Sequence, residues 1–247
     1  LSYQQVICPL PDLSHEELIA LPYYNLCLTE MGLSDQSYLQ VQQRQAEVVG
    51  NINSYYSLRN HTDDAEKYYA YVVLSAKALS NNQEAMSQLM CDTLMNIQFD
   101  DGDRIKELIS QAKSNREQSI TANGHSYAMQ AAAANLNTVS TAVQKLMGLE
   151  SIKDMKHFHH EAQNNDSKAL IKTLKAIHQK VLQTKKELLL ISEAQVIEQQ
   201  LPVIERVCAP LLSENTTSAS LTLAPANKEK IQQAWITNSQ VHFCSKV

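Results

Sequence analysis

A change of hydrophobic period near residue 80 constrains this chain more than any other feature. Before it, Asn51–Arg59 alternates Ile52, Ser54, Tyr56 and Leu58 with mostly polar residues, the pattern of a half-buried strand. Lys67–Ala76 is a second extended segment, carrying Tyr68, Tyr69, Tyr71, Val72, Val73 and Leu74. The polar turn Asn60–Asp64 between them makes a hairpin the economical reading. After the change, from Asn81 to His178, apolar residues recur every three or four positions. Met86, Leu89, Met90, Leu94 and Ile97 form one stripe; Ile105, Leu108, Ile109 and Ala112 form the next, with Asp100 and Asp101 placed to cap it. Strands with one apolar face need a cover, and these helices supply it. The expected fold is therefore α+β and helix-rich. Its antiparallel sheet uses segments 3–8, 51–59, 67–76 and 187–192, with helices packed mainly on one face.

Punctuation residues divide the rest. Ser14 and Glu17 form a capping box ahead of a helix bearing Leu18, Leu21, Leu26 and Leu28, which ends near Gly32. A second helix runs from Ser37 to Val48 and stops at Gly50. Gly124 and Gly148 break the long helical stretch, and His125 or Ser126 is expected to cap the helix after Gly124. Two helices follow over 149–163 and 166–183, then Glu187–Ser192 reads as a buried strand, and helix 194–208 leads into Pro210. Residues 213–225, rich in Ser, Thr and Asn, read as a linker. The organisation expected is a domain over 1–212, the linker, and the opening strand of a truncated following domain over 226–247.

Composition excludes some functions. A net charge of −5 argues against a nucleic-acid or anionic-membrane binder, which needs a basic surface. No stretch approaches the roughly 20 apolar residues of a membrane span. The chain begins at Leu1 without Met or a signal-like segment, which reads as a piece of something longer. The five cysteines are an odd number without paired spacing, which reads as free thiols in a reducing compartment. Cys8, Cys27 and Cys91 lie among apolar residues, as small core side chains do.

Four motifs occur in order: Leu26-x-x-Thr29-Glu30-Met31-Gly32; Leu74-Ser75-Ala76-Lys77-Ala78-Leu79; the run Asp100-Asp101-Gly102-Asp103-Arg104-Ile105-Lys106-Glu107-Leu108 with Gly124-His125-Ser126-Tyr127-Ala128-Met129; and Trp235-x-x-Asn238-x-x-x-x-Phe243. Together they resemble the pitrilysin/insulinase-type zinc metallopeptidases, in the presequence-protease branch. The resemblance implies a clam-shell of four related α+β domains in which peptides are cut inside a closed chamber. This chain is similar to the third domain plus the first strand of the fourth. By that resemblance the zinc, held by an H-x-x-E-H helix and a distant Glu, belongs to the first domain. No zinc or other cofactor is expected in this segment, although the parent protein carries zinc. The implied partners are the N-terminal catalytic half of the same polypeptide and peptide substrates, with no nucleic acid and no membrane. The implied location is the cytoplasm or an organelle matrix.

No catalytic residue is assigned within the segment. The tempting metal site is His157-Phe158-His159-His160-Glu161, because His157, His160 and Glu161 share a helical face. Its order is H-x-x-H-E, however, with Glu and the second His exchanged relative to the family motif, and the sequence offers no third ligand. A solvated helix face is the plainer reading. His125, Ser126 and Tyr127 form the second candidate, for contact with substrate or with another domain. No nucleophile elbow surrounds Ser126. Two functions follow: a non-catalytic segment of a peptide-degrading metalloendopeptidase, inactive alone and contributing chamber wall and enclosure, or a stand-alone helical protein–protein interaction module.

Overall fold

The computed structural model describes residues 1–64, 67–164, 167–213, 220–227, 232–236 and 241–246, apart from the side chains of Thr121, Glu161, Ala162 and Asn164. In chain order the elements are β1 (Ser2–Pro9), α1 (His15–Leu28), β2 (Gly32–Leu33), α2 (Tyr38–Val48), β3 (Asn51–Asn60), β4 (Tyr68–Ala78), α3 (Gln83–Met95), β5 (Ile97–Gln98), α4 (Gly102–Ala122), α5 (Gly124–Ala133), α6 (Thr138–Met147), α7 (Ser151–Asn164), α8 (Lys168–Leu182), β6 (Glu187–Ile191) and α9 (Ala194–Ser213). They gather into two compact units. The first comprises Leu1–Ser57, Ala70–Arg104 and Ile171–Leu221; the second comprises Leu58–Tyr69, Ile105–Leu170 and Thr222–Val247.

The first unit is built on a four-stranded sheet in the order β3-β4-β1-β6. β1 runs antiparallel to both neighbours, with Val6 opposite Leu74 on one side and Leu188 on the other. All four strands expected from the sequence are present, so the fold is α+β with an antiparallel sheet. The period-two rule sets its faces: Ser2, Gln4, Val6 and Cys8 are buried while Tyr3 is exposed. α3 packs on β1, α9 packs on β6, and α3 packs on α9. The apolar stripe of α3 is fully covered, with Met86, Leu89, Met90 and Leu94 at no more than 1% exposure.

Local chemistry starts the helices. The backbone N–H of Glu17 donates to Ser14 Oγ at 3.2 Å, and that of Ser14 donates to Glu17 Oε2 at 2.7 Å, closing the capping box. Ser37 and Gln40 form a second box ahead of α2. Asp101 Oδ1 accepts from the Arg104 N–H at 3.0 Å at the start of α4.

Four details depart from the sequence reading. Ile97 leaves the α3 stripe and pairs with Leu33 across the short β5–β2 ladder. β6 is an edge strand, not a buried one, and Leu189 and Ile191 are 41% and 56% exposed. An apolar run has the same pattern whether one face or both are covered. α9 continues through Pro202 and Pro210 to Ser213, each proline removing one backbone donor without ending the helix. Within the segment read as a linker, Leu221 is buried and its N–H donates to the Leu10 carbonyl at 3.0 Å. Residues 214–219 lie outside the described residues.

Two polar anchors hold this unit. Arg104, 7% exposed, donates to Glu30 Oε2 at 2.9 Å and to the Glu30 carbonyl at 3.2 Å. Its guanidinium also sits 4.3 Å from the Tyr38 ring centroid. The second anchor is His178 on α8, whose Nδ1 lies 3.0 Å from Tyr24 Oη. Burial lowers the His178 pKa from 6.5 to about 4, partly offset by a hydrogen bond to the Leu94 backbone. With the ring N–H committed to Leu94, Nδ1 accepts from the tyrosine hydroxyl.

Replacing Arg104 by Ala removes these bonds from a mostly buried guanidinium, and urea denaturation should show a loss of about 2–4 kcal/mol. The neutral His178 ring stabilises the fold fully above pH 6.5, and that share is lost as pH falls towards 4, because the unfolded ring takes up its proton first. Between pH 7 and 4.5 the loss should be on the order of 2–3 kcal/mol. Urea midpoints across this range should fall more steeply for the wild type than for His178→Gln.

Candidate functional site

Both candidate clusters lie in the second unit, which holds α5, α6, α7, most of α4 and the tip of the β3–β4 hairpin. α7 is amphipathic. Ile152 and Met155 are buried, which turns its charged and imidazole side chains outward. Lys156, His159, His160 and Gln163 of α7 face Lys113 and Glu117 of α4 across an open groove of about 590 Å³. Lys156 Nζ is 3.9 Å from Glu117 Oε1, and Gln163 Nε2 donates to Ser110 Oγ at 3.4 Å.

The groove contains His160 but not His157, whose ring centroid lies 6.1 Å from that of Phe158. The side chain of Glu161 lies outside the described residues. His159 was not singled out by spacing, because the partners that define the groove come from α4, some 45 residues earlier in the chain. Among the described residues, no three His, Cys, Asp or Glu side chains are grouped to hold a metal ion. The groove presents two ammonium groups and two imidazoles against one carboxylate, a set that favours carbonyl or anionic groups on a ligand.

The α5 cluster divides by depth. Asn123 occupies the cap position of α5, so His125 and Ser126 sit in its first turn instead of capping it. Tyr127 is buried with Leu149 and Ile152, with Ile120 packed against them. Its Oη is 2.8 Å from Ser119 Oγ, and the Arg116 guanidinium lies 5.4 Å from its ring centroid. Arg116 in turn donates to the Met147 carbonyl and, at 3.1 Å, to Ser151 Oγ. The same guanidinium thereby satisfies a carbonyl at the end of α6 and the first residue of α7.

His125 is exposed, and its ring centroid lies 6.3 Å from that of Phe243. Gly124 has an ordinary negative φ, so its value is space. A Cβ there would run into the Phe243 ring. Trp235 also touches this unit, with Lys153 Nζ 5.3 Å from its ring centroid. Residues 232–236 and 241–246 carry no regular secondary structure, and the rest of the segment read as a strand lies outside the described residues.

The chain belongs to the family described as Peptidase M16, subfamily C, associated, whose model matches residues 1–158. It is similar to the mitochondrial presequence protease of Drosophila melanogaster, with 26% identity over 67% of this chain and 16% of the relative. It is also similar to presequence protease 1, chloroplastic/mitochondrial, of Arabidopsis thaliana, with 25% identity over 73% of this chain and 16% of that protein. The chain thus spans about a sixth of the length of these relatives. Its fold resembles that of a conserved protein from Enterococcus faecalis V583, with a TM-score of 0.53 and 10% identity over 83% of this chain and 47% of the other. No helix among the described residues is long and apolar enough to cross a membrane.

Gly124→Ala should leave α5 helical and displace Phe243. Limited proteolysis within 241–246 should accelerate several-fold, with the far-ultraviolet circular dichroism unchanged. Arg116→Ala should destabilise the second unit by about 1.5–3 kcal/mol, read as a lower urea midpoint, because it strips a charged donor from the Met147 carbonyl.

Proposed function

We propose that this chain is a non-catalytic segment of a larger zinc metalloendopeptidase that degrades peptides. The supporting observation is the family match over residues 1–158, taken with relatives that are presequence proteases several times longer. In this reading the segment contributes wall and enclosure to a closed chamber. The N-terminal catalytic half of the same polypeptide holds the zinc, which polarises the attacking water there. Peptides are the substrates. The exposed His125 side of α5 contacts peptide or the catalytic half, while the buried Tyr127 sets the position of α5. Residues 1–212 form the chamber domain, and 226–247 open the domain that follows. The names of the relatives point to an organelle matrix as the working compartment.

Metal analysis of the purified chain and a quenched-peptide assay test this. The chain alone should carry well under one zinc per molecule and cleave nothing. Co-expressed with the catalytic half of its own polypeptide, it should co-purify with that half and raise peptide cleavage. One tightly held zinc in the isolated chain, with chelator-sensitive cleavage, would overturn the reading. So would failure of the two halves to associate.

A further inference from the structure

Cys91 on α3 and Cys208 on α9 are 117 residues apart in sequence, yet their sulfurs lie 3.3 Å apart and both side chains are buried. The Cys91 S–H donates to Cys208 Sγ, and Gln4 Nε2 donates to the same sulfur at 3.8 Å. The Gln4 side chain is itself fixed, because its Oε1 accepts from Gln83 Nε2 at 2.8 Å and from Ser87 Oγ at 2.7 Å. The hydrogen bond from Cys91 pulls the Cys208 pKa down; burial opposes it and Gln4 assists it. The Cys91 thiol is pushed up by donating that bond and by burial. The pair is therefore polarised, with negative charge favoured on Cys208. Cys8 and Cys27 contrast with it, since burial pushes both thiols up to about 12.

We propose that Cys91 and Cys208 are a redox-modification site, closing into a reversible disulfide that staples α9 to α3, with a hydroperoxide as oxidant and a dithiol as reductant. Cys208 thiolate attacks the peroxide oxygen. An S–O bond forms, the O–O bond breaks, and the departing hydroxide takes up a proton as water. The Cys91 sulfur then attacks Cys208 Sγ. The S–S bond forms, the S–O bond breaks, and the released hydroxide takes the Cys91 proton as a second water. Each sulfur loses one electron and the peroxide gains two. A dithiol reverses the reaction by exchange and ends as its own disulfide.

Closure from 3.3 Å to the roughly 2.05 Å of an S–S bond needs each sulfur to move only about 0.6 Å. Access comes from α9 itself. Pro202 and Pro210 flank Cys208 and lack the N–H that would continue the helical ladder, so this segment opens locally and admits an oxidant little larger than water.

The test uses the full chain with Cys244→Ser, which removes the exposed thiol. After hydrogen peroxide, non-reducing peptide mapping should recover a Cys91–Cys208 linkage, and thiol counting should fall by two. The melting temperature should rise by about 5–15 °C and return on dithiothreitol treatment. In Cys91→Ala the second step is blocked, so dimedone should trap sulfenic acid on Cys208. Where that variant fails to fold, the linkage map of the parent chain decides. Persistence of both thiols at peroxide levels that oxidise Cys244 in the unmodified chain would overturn the proposal, as would linkage to Cys8 or Cys27 or a fall in melting temperature on oxidation.

Discussion

The Arg104 guanidinium ties together three stretches that are far apart in the chain. Its own backbone is held by Asp101 at the start of α4, its fork grips Glu30 just after α1, and its plane lies over Tyr38 at the start of α2. Glu30 also accepts from Gln42 Nε2 at 2.9 Å, and the Thr29 carbonyl accepts from Gln45 Nε2 at the same distance. The end of one helix, the face of a second and the start of a third are thus fixed by charge-assisted bonds with planar geometry. Lysine at 104 could not serve the side chain and the carbonyl of Glu30 together while covering a ring. Gly32 completes the corner, because a Cβ there would stand 2.6 Å from the Gln36 carbonyl oxygen. Two of the runs that mark the family, Thr29-Glu30-Met31-Gly32 and Asp100-Asp101-Gly102-Asp103-Arg104, are therefore the two sides of one contact.

A second constraint lies beneath the sheet. A dry interface between β1 and its helices would ordinarily be all aliphatic, yet Ser2, Gln4, Gln83 and Ser87 are buried at 1% exposure or less. The cost of burying amides is offset because Gln4 spends its donor on Cys208 and its acceptor on Gln83 and Ser87. Such a set is selective. A one-residue slip of β1 would carry Gln4 to the open face and leave Ser87 and Gln83 without their acceptor. The polar seam therefore specifies register where Val6 and Cys8 alone would tolerate a slide.

Short-range features were legible because their physics is short-range. Ser14 with Glu17, the α3 stripe and the Tyr-rich hairpin each declare themselves within a few residues, and the structure has them where expected. Long-range juxtaposition was not legible. Nothing in the spacing of five cysteines brings Cys91 to Cys208, since that meeting depends on how α9 returns over α3. The three-residue step from His157 to His160 correctly described one helix face. Which imidazoles share a groove was decided instead by Lys113 and Glu117 arriving from α4. The exposure of β6 escaped for a related reason: Leu188 to Ile191 measures hydrophobicity, and only sheet order shows that no further strand lies beyond it among the described residues.

The two faces of the sheet differ in how their polar groups are satisfied. On the covered face the amide and hydroxyl bonds of Gln4 are 2.7–2.8 Å, as expected where water cannot compete. On the open face Gln5 reaches Tyr55 Oη and Ser75 Oγ at 3.4 Å each, long bonds that water can replace at little cost. Tyr3 stands opposite Lys77 on one side and Ile191 on the other, so polar and apolar groups alternate across the strands as well as along them. That mixture keeps a half-exposed sheet in water despite leucine and isoleucine on its edge, with Glu187 at the head of β6 adding a charge against unwanted pairing. The helices accordingly order the face that needs dryness, and the tyrosines and amides make the other face tolerable without a cover.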